Sequence, residues 1–214
     1  MTMKRINSVV TTPAKEARSS TSTSLTGAGA IEPLTGDQIE QGLARLLELA
    51  SPQEVDRRLL ISLESHTGYP VREISRTKFT DTDYQTIVQR YEITCTDIDG
   101  IDRAITAVRK ALVPLPKNQI EDQLTMLATV VVKPSMESSE DQLVRIESLA
   151  SLLHEYPADI ALYAIERVTK TSKFWPSFAE FYQHIDWMLA KRNLMLRALE
   201  SKRVALTAQE INHG

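Results

Sequence analysis

The residues with chemistry to offer are few and do not converge. Histidines stand at His66, His154, His184 and His213, and Cys95 is the single cysteine. A zinc site needs three or four ligands, with at least one pair at short spacing. Glu180 and His184 lie four residues apart, but no third ligand can be assigned, so the pair reads as neighbours on a helix surface. The carboxylate pairs Asp81/Asp83 and Asp97/Asp99 stand where helices are expected to begin, and capping explains them without general acid–base work. Gly27 and Gly29 have neither a preceding strand nor a P-loop lysine, which removes a self-contained phosphate cradle. No Gly-x-Ser-x-Gly turn is present. The expectation is a protein that is not an enzyme and holds no cofactor or metal.

Whole-chain properties narrow the classes further. A formal charge of -3 over 214 residues provides no global attraction to nucleic acid or anionic membrane, so any such contact must come from a local patch. One cysteine excludes an internal disulfide framework. No stretch approaches the roughly 20 apolar residues of a membrane helix, and the N-terminus lacks the apolar run of a signal peptide. A soluble, cytoplasmic chain is expected.

The elements that would position any site read almost entirely as helices, about eight of them, giving an all-α fold. Residues 1–35 are rich in Ser, Thr, Ala and Gly and carry too few large apolar side chains to fold, so they are expected to form a disordered tail. Asp37 is a candidate cap for a helix with Ile39, Leu43, Leu46 and Leu47 on one face. Ser51-Pro52-Gln53-Glu54 is a capping box with proline at the first helical position, followed by Val55, Leu59 and Leu63. The segment Val71 to Thr80 fits a short helix or irregular chain. Asp81 is the expected cap of a third helix with Tyr84, Ile87, Val88, Tyr91 and Cys95 facing inward. Asp97 caps the next, striped by Ile98, Ile101, Ile105, Val108 and Leu112. Pro114-Leu115-Pro116 is a candidate hinge between a subdomain of residues 36–113 and one of residues 114–206, with 207–214 a flexible end. Ile120, Leu124, Leu127 and Val131 mark a further helix, whose Val130-Val131-Val132 end also fits a strand, and Ser138 or Ser139 caps another through Ile146, Leu149 and Leu153.

The richest stretch is Tyr156 to Asp186. Pro157 opens a short helix with Ala161 and Ala164 on its buried face, a polar break runs from Thr169 to Lys173, and Phe174-Trp175 precede Pro176 and the final long helix. Phe174 and Trp175 are expected to pack under the start of that helix. Together with Tyr156 and Trp187 they read either as core or as stacking platforms for bases. In the last helix Phe178, Phe181, Ile185 and Met188 form the buried stripe. Lys191, Arg192, Lys202 and Arg203 then gather within about a third of the circumference, repeating after roughly three turns or ~16 Å, with Arg197 off that face. The stripe suits either phosphates or the negative end of the helix dipole. Burying Arg192 and Arg203 would strand cations in apolar surroundings, so the helix beyond Ala190 is expected to project from the domain and to be dispensable for stability.

Over about residues 140–187 the chain resembles the helicase loaders and replisome organisers of phages and prophages, in which a helix pair ends in a Phe-Pro-Pro-Thr-Ile-Ala-Asp/Glu-Ile-like signature. Phe174, Pro176, Ser177, Ala179, Glu180 and Phe181 stand in matching places, while Trp175 replaces the first proline of the pair and Phe178 the isoleucine. Tyr156 and Pro157 open the matched helix pair. The resemblance implies a non-enzymatic adaptor in DNA replication that engages a replicative helicase or another replication protein. The alternative reading, from charge, is a nucleic-acid-binding or assembly protein, such as a small packaging or regulatory subunit, acting through its C-terminal helix.

Overall fold

The computed structural model describes residues 32–49, 51–79, 84–132 and 138–213. Residues 1–31 of the expected tail and the Asp81 cap lie outside these residues, while the end of that expected tail is ordered, with Leu34 packed against the core and Thr35 at the start of α1. Within them the chain is helical apart from one antiparallel hairpin: α1 (Gly36–Glu48), α2 (Pro52–Thr67), β1 (Val71–Phe79), β2 (Tyr84–Ile93), α3 (Ile98–Lys110), α4 (Lys117–Val130), α5 (Ser139–Leu153), α6 (Ala158–Thr171) and α7 (Phe178–His213).

Local chemistry sets most of the boundaries. Thr35, not Asp37, caps α1, through a reciprocal box with Gln38. Ser51 caps α2 by accepting from the Glu54 N–H at 3.3 Å, but the Glu54 carboxylate turns outward to Arg57 and Arg58, leaving half of the expected box. Gly68 ends α2 in the left-handed region at φ 71°, which only glycine adopts without strain. Asp97 caps α3 through the N–H groups of Asp99 and Gly100. A side chain at Gly100 would meet the His66 carbonyl oxygen at 2.5 Å, so glycine is what lets α3 start against the end of α2. Ser138 and Asp141 form the box that begins α5.

The third expected helix is instead strand β2, paired with β1. In the ladder Ile74 faces Arg90 while its neighbour Ser75 faces Val88, which leaves Gln89 as an extra residue, a β-bulge. The bulge places Val88 and Tyr91 on one face three residues apart, and that spacing imitates a helical stripe. Tyr91 is buried there and its hydroxyl donates to Glu73 at 3.0 Å. Cys95 points inward as expected, but from the loop after β2.

One continuous core joins the elements, from Leu46 and Leu63 through Ile105, Leu124, Leu153 and Ile165 to Phe181 and Leu199. The Pro114–Pro116 link runs across that core. Leu115 is buried, the Ala158 N–H donates to the Val113 carbonyl at 2.9 Å, His154 Nδ1 lies 2.8 Å from the Leu115 carbonyl oxygen, and Pro114 bridges Pro157. A segment fastened on both sides is a strap, not a hinge.

The final helix does not leave the domain at Ala190. Phe181, Ile185, Met188, Arg192, Met195, Leu199 and Leu206 are all buried, a run of alternating four- and three-residue steps that is interrupted only at Lys202. That is a heptad seam, and it packs α7 against α3, α6 and β2. No helix among the described residues is long and apolar enough to cross a membrane.

Candidate functional site

The loop between α6 and α7 is built by local bonds. Ser177 stands before α7 and Glu180 reaches back to it, accepting from the Ser177 N–H at 2.7 Å and from its hydroxyl at 2.9 Å. Glu180 also accepts from the Ser172 hydroxyl at 3.3 Å, so one carboxylate ties the end of α6 to the start of α7. These bonds, the backbone one first, hold the Glu180 carboxyl below its ordinary range. On the other side of the loop the Val132 N–H, just past α4, donates to the Lys173 carbonyl at 2.9 Å, a one-residue bridge that pairs Val132 with Phe174. The possible Val130–Val132 strand is thus reduced to this bridge. Pro176 is buried, which fixes the entry to α7.

The two aromatics of the loop part company. Trp175 is half-buried against the core with the Arg145 guanidinium 5.9 Å from its ring centre, and its Nε1 finds no acceptor among the described residues. Phe174, expected under the start of α7, is 61% exposed, with Lys173 Nζ 5.5 Å from its ring centre. The physical reason is that the Val132 bridge sets the direction of the chain, so consecutive side chains point opposite ways. Val130 and Val132 are also exposed. Behind the loop lies an open hollow of about 520 Å³ lined by Val168, Ser172, Phe174, Trp175, Glu180 and His184.

Tyr156, half-buried, and Pro157, buried, support this arrangement. Tyr156 packs 6.2 Å from Phe178 and 6.4 Å from Tyr182, ring centre to ring centre. Burial pushes its hydroxyl pKa up. Pro157 is buried at the start of α6.

The basic stripe of α7 is not a surface. Arg192 is 0% exposed: its Nε donates to Asp56 at 2.8 Å, its two terminal nitrogens to Asp159 at 2.9 and 2.5 Å, and one of them also to the Ala111 carbonyl at 2.6 Å. Desolvation alone would disfavour its charge, but the bonds to Asp159 and Asp56 outweigh that and raise its pKa. Lys191 lies 3.4 Å from Glu73 and 4.0 Å from Asp56. Arg203 pairs with Asp102 at 2.5 Å. Lys202 is half-buried, which leaves Arg197 as the exposed cation of the five. The expectation of stranded cations fails because Asp56 and Asp159 are buried with Arg192 and neutralise it.

Glu180 and His184 remain apart in role, the first in the cap and the second edge-on to Tyr163 at 6.5 Å. Among the described residues no three His, Cys, Asp or Glu side chains come together as metal ligands. No family model, curated protein or solved structure matches this chain.

Proposed function

We propose that the protein is a non-enzymatic adaptor in phage or prophage DNA replication, acting in the cytoplasm and engaging a replicative helicase through the Lys173–Pro176 loop. The observation that carries this reading is the state of Phe174: a large aromatic side chain held out to solvent on a backbone fixed on both sides. Aromatic anchors that are rigid before binding lose little entropy on docking and tend to dominate interface energies. Val130 and Val132 extend the apolar contact beside it. The resemblance of residues 140–187 to phage helicase loaders supplies the kind of partner.

The nucleic-acid reading has less to rest on, because Arg192, Lys191 and Arg203 are engaged by carboxylates inside the protein. The test is binding of the full chain to the replicative helicase of its host, measured with Phe174→Ala and Trp175→Ala. Phe174→Ala should keep the melting temperature and weaken binding at least tenfold, as hot-spot truncations of about 2 kcal/mol or more do. Trp175→Ala should lower the melting temperature as well. Binding that survives Phe174→Ala unchanged would refute the role given to the loop.

A further inference from the structure

A second concave surface lies far from the aromatic loop in sequence. Where α1 crosses α2 and α3 there is a hollow of about 160 Å³. Its floor is carbon, from Leu46, Val55, Leu59, Ala107 and Ala111. Its edge is cationic, from Arg45, Arg58 and Lys110.

The charge is cancelled only in part: Glu54 pairs with Arg58 at 2.7 Å, and Asp99 and Asp102 line an adjoining hollow together with Arg45 and Lys110. The Glu54 carboxylate is shared between Arg57 and Arg58, and among the described residues the Lys110 ammonium bonds the neutral Gln41, at 3.2 Å. Arg45 has no ion pair among the described residues and is exposed. An apolar hollow of this size admits one large side chain, since a protein cavity of about 150 Å³ accommodates benzene. Arg45 and Lys110, without an ion pair among the described residues, call for carboxylates on the same ligand.

We propose that this hollow is a docking site for an acidic peptide segment of a partner protein, with one large apolar side chain in the hollow and flanking Asp or Glu residues on Arg45 and Lys110. The protein's own residues 1–31 are the wrong occupant on charge, carrying Lys4, Arg5, Lys15 and Arg18 against Glu16 alone. The proposal does not depend on the helicase reading: it concerns α1, α2 and α3, which the resemblance does not cover.

The experiment is fluorescence anisotropy of the full chain with labelled synthetic peptides: one with a central Phe flanked by Asp and Glu, one with the acids replaced by Asn and Gln, one with the Phe replaced by Ser, and one carrying residues 1–31. The acidic Phe peptide should bind saturably, and both altered versions about tenfold more weakly or not at all. Arg45→Glu combined with Lys110→Glu should weaken it about as much, with the difference shrinking as salt rises. Ala107→Leu, which fills the floor, should also abolish binding, and because Arg45 is exposed, Arg45→Glu alone keeps the test intact if either of the other substitutions lowers stability. Equal affinity in the charge variants, no binding of the acidic peptide, or preference for the peptide of residues 1–31 would each overturn the proposal. So would a dimer in gel filtration that the acidic peptide fails to dissociate, because a second copy would then occupy the hollow.

Discussion

Replacing Arg192 by methionine tests the placement of the last helix most directly. Methionine keeps most of the volume in the seam between Met188 and Met195, so the change removes charge and four donated hydrogen bonds more than it removes packing. Asp56 and Asp159, both 5% exposed, would lose the guanidinium they share, with Lys191 Nζ at 4.0 Å from Asp56 as the remaining ion-pair partner. Breaking a buried ion pair from one side costs about 3–5 kcal/mol, mostly from the charge left behind. Against a total stability of about 5–15 kcal/mol that is a large share. With a urea slope of about 2 kcal/mol/M, the midpoint should fall by roughly 2 M. The assay is urea unfolding followed by circular dichroism and by tryptophan fluorescence. Adding Asp56→Asn and Asp159→Asn should recover part of the loss, because two neutral amides replace two stranded charges. Arg192→Lys should fall between, since an ammonium has three donors where the guanidinium makes four bonds, two of them side by side on Asp159. A midpoint shift of Arg192→Met below about 0.5 M would show that Arg192 is solvated, and would restore the projecting helix.

Further outcomes follow from the same geometry. Truncation after Ala190 removes Met195, Leu199 and Leu206 together with Arg192, so the product should lose cooperative thermal unfolding and elute as aggregate in gel filtration; a folded monomer would contradict the seam. Gly100→Ala places a Cβ 2.5 Å from the His66 carbonyl oxygen, and a melting temperature lower by the equivalent of about 1–3 kcal/mol is expected. The lowered pKa of Glu180 means that its ionised form stabilises the folded state: the contribution is complete above the ordinary carboxylate value of about 4.3 and is lost as pH falls through the lower folded value. Glu180→Gln keeps a capping box, so the melting temperatures of the two proteins should converge as pH falls through that window, and a gap independent of pH would refute the assignment.

Most helices were legible because a single rule placed each of them. The stripe Ile101, Ile105 and Val108 behind the Asp97 cap is fully buried in α3, and the same holds for Ile120, Leu124 and Leu127 in α4. The hairpin was not legible, because the bulge at Gln89 replaces strict alternation by a three-residue step. The composition of Thr86, Ile87, Val88, Tyr91 and Ile93 carried the missing signal, since β-branched and aromatic residues favour strands. Arg192 was misplaced by reading α7 alone. Asp56 stands beside Val55 on the face of α2 that carries Leu59 and Leu63, and Asp159 precedes Ile160 and Ala161 on the buried face of α6. Acidic intruders on two apolar faces are the complement of a cation on a third, but pairing them requires knowing that the three helices meet. In the loop, the sequence placed Pro176 at the entry to α7 but gave neither the Ser177–Glu180 cap nor the separation of Phe174 from Trp175, because the Val132 bridge that turns the two aromatics apart comes from 42 residues before Phe174.

The Arg192 centre also sets the order in which the protein can be made. Its partners sit 136 and 33 residues upstream, in α2 and α6. On the ribosome, α2 therefore emerges with a carboxylate on its apolar face and waits for almost the whole chain before that charge can be neutralised. Contacts such as those of α4 with α5 can close early, but the face of α2 around Asp56 closes only when the middle of α7 has been synthesised. Long-range closure of this kind slows folding and leaves apolar surface open in the interval. Nascent chains ending before Arg192 are thus the form of this protein most exposed to chaperones and proteases.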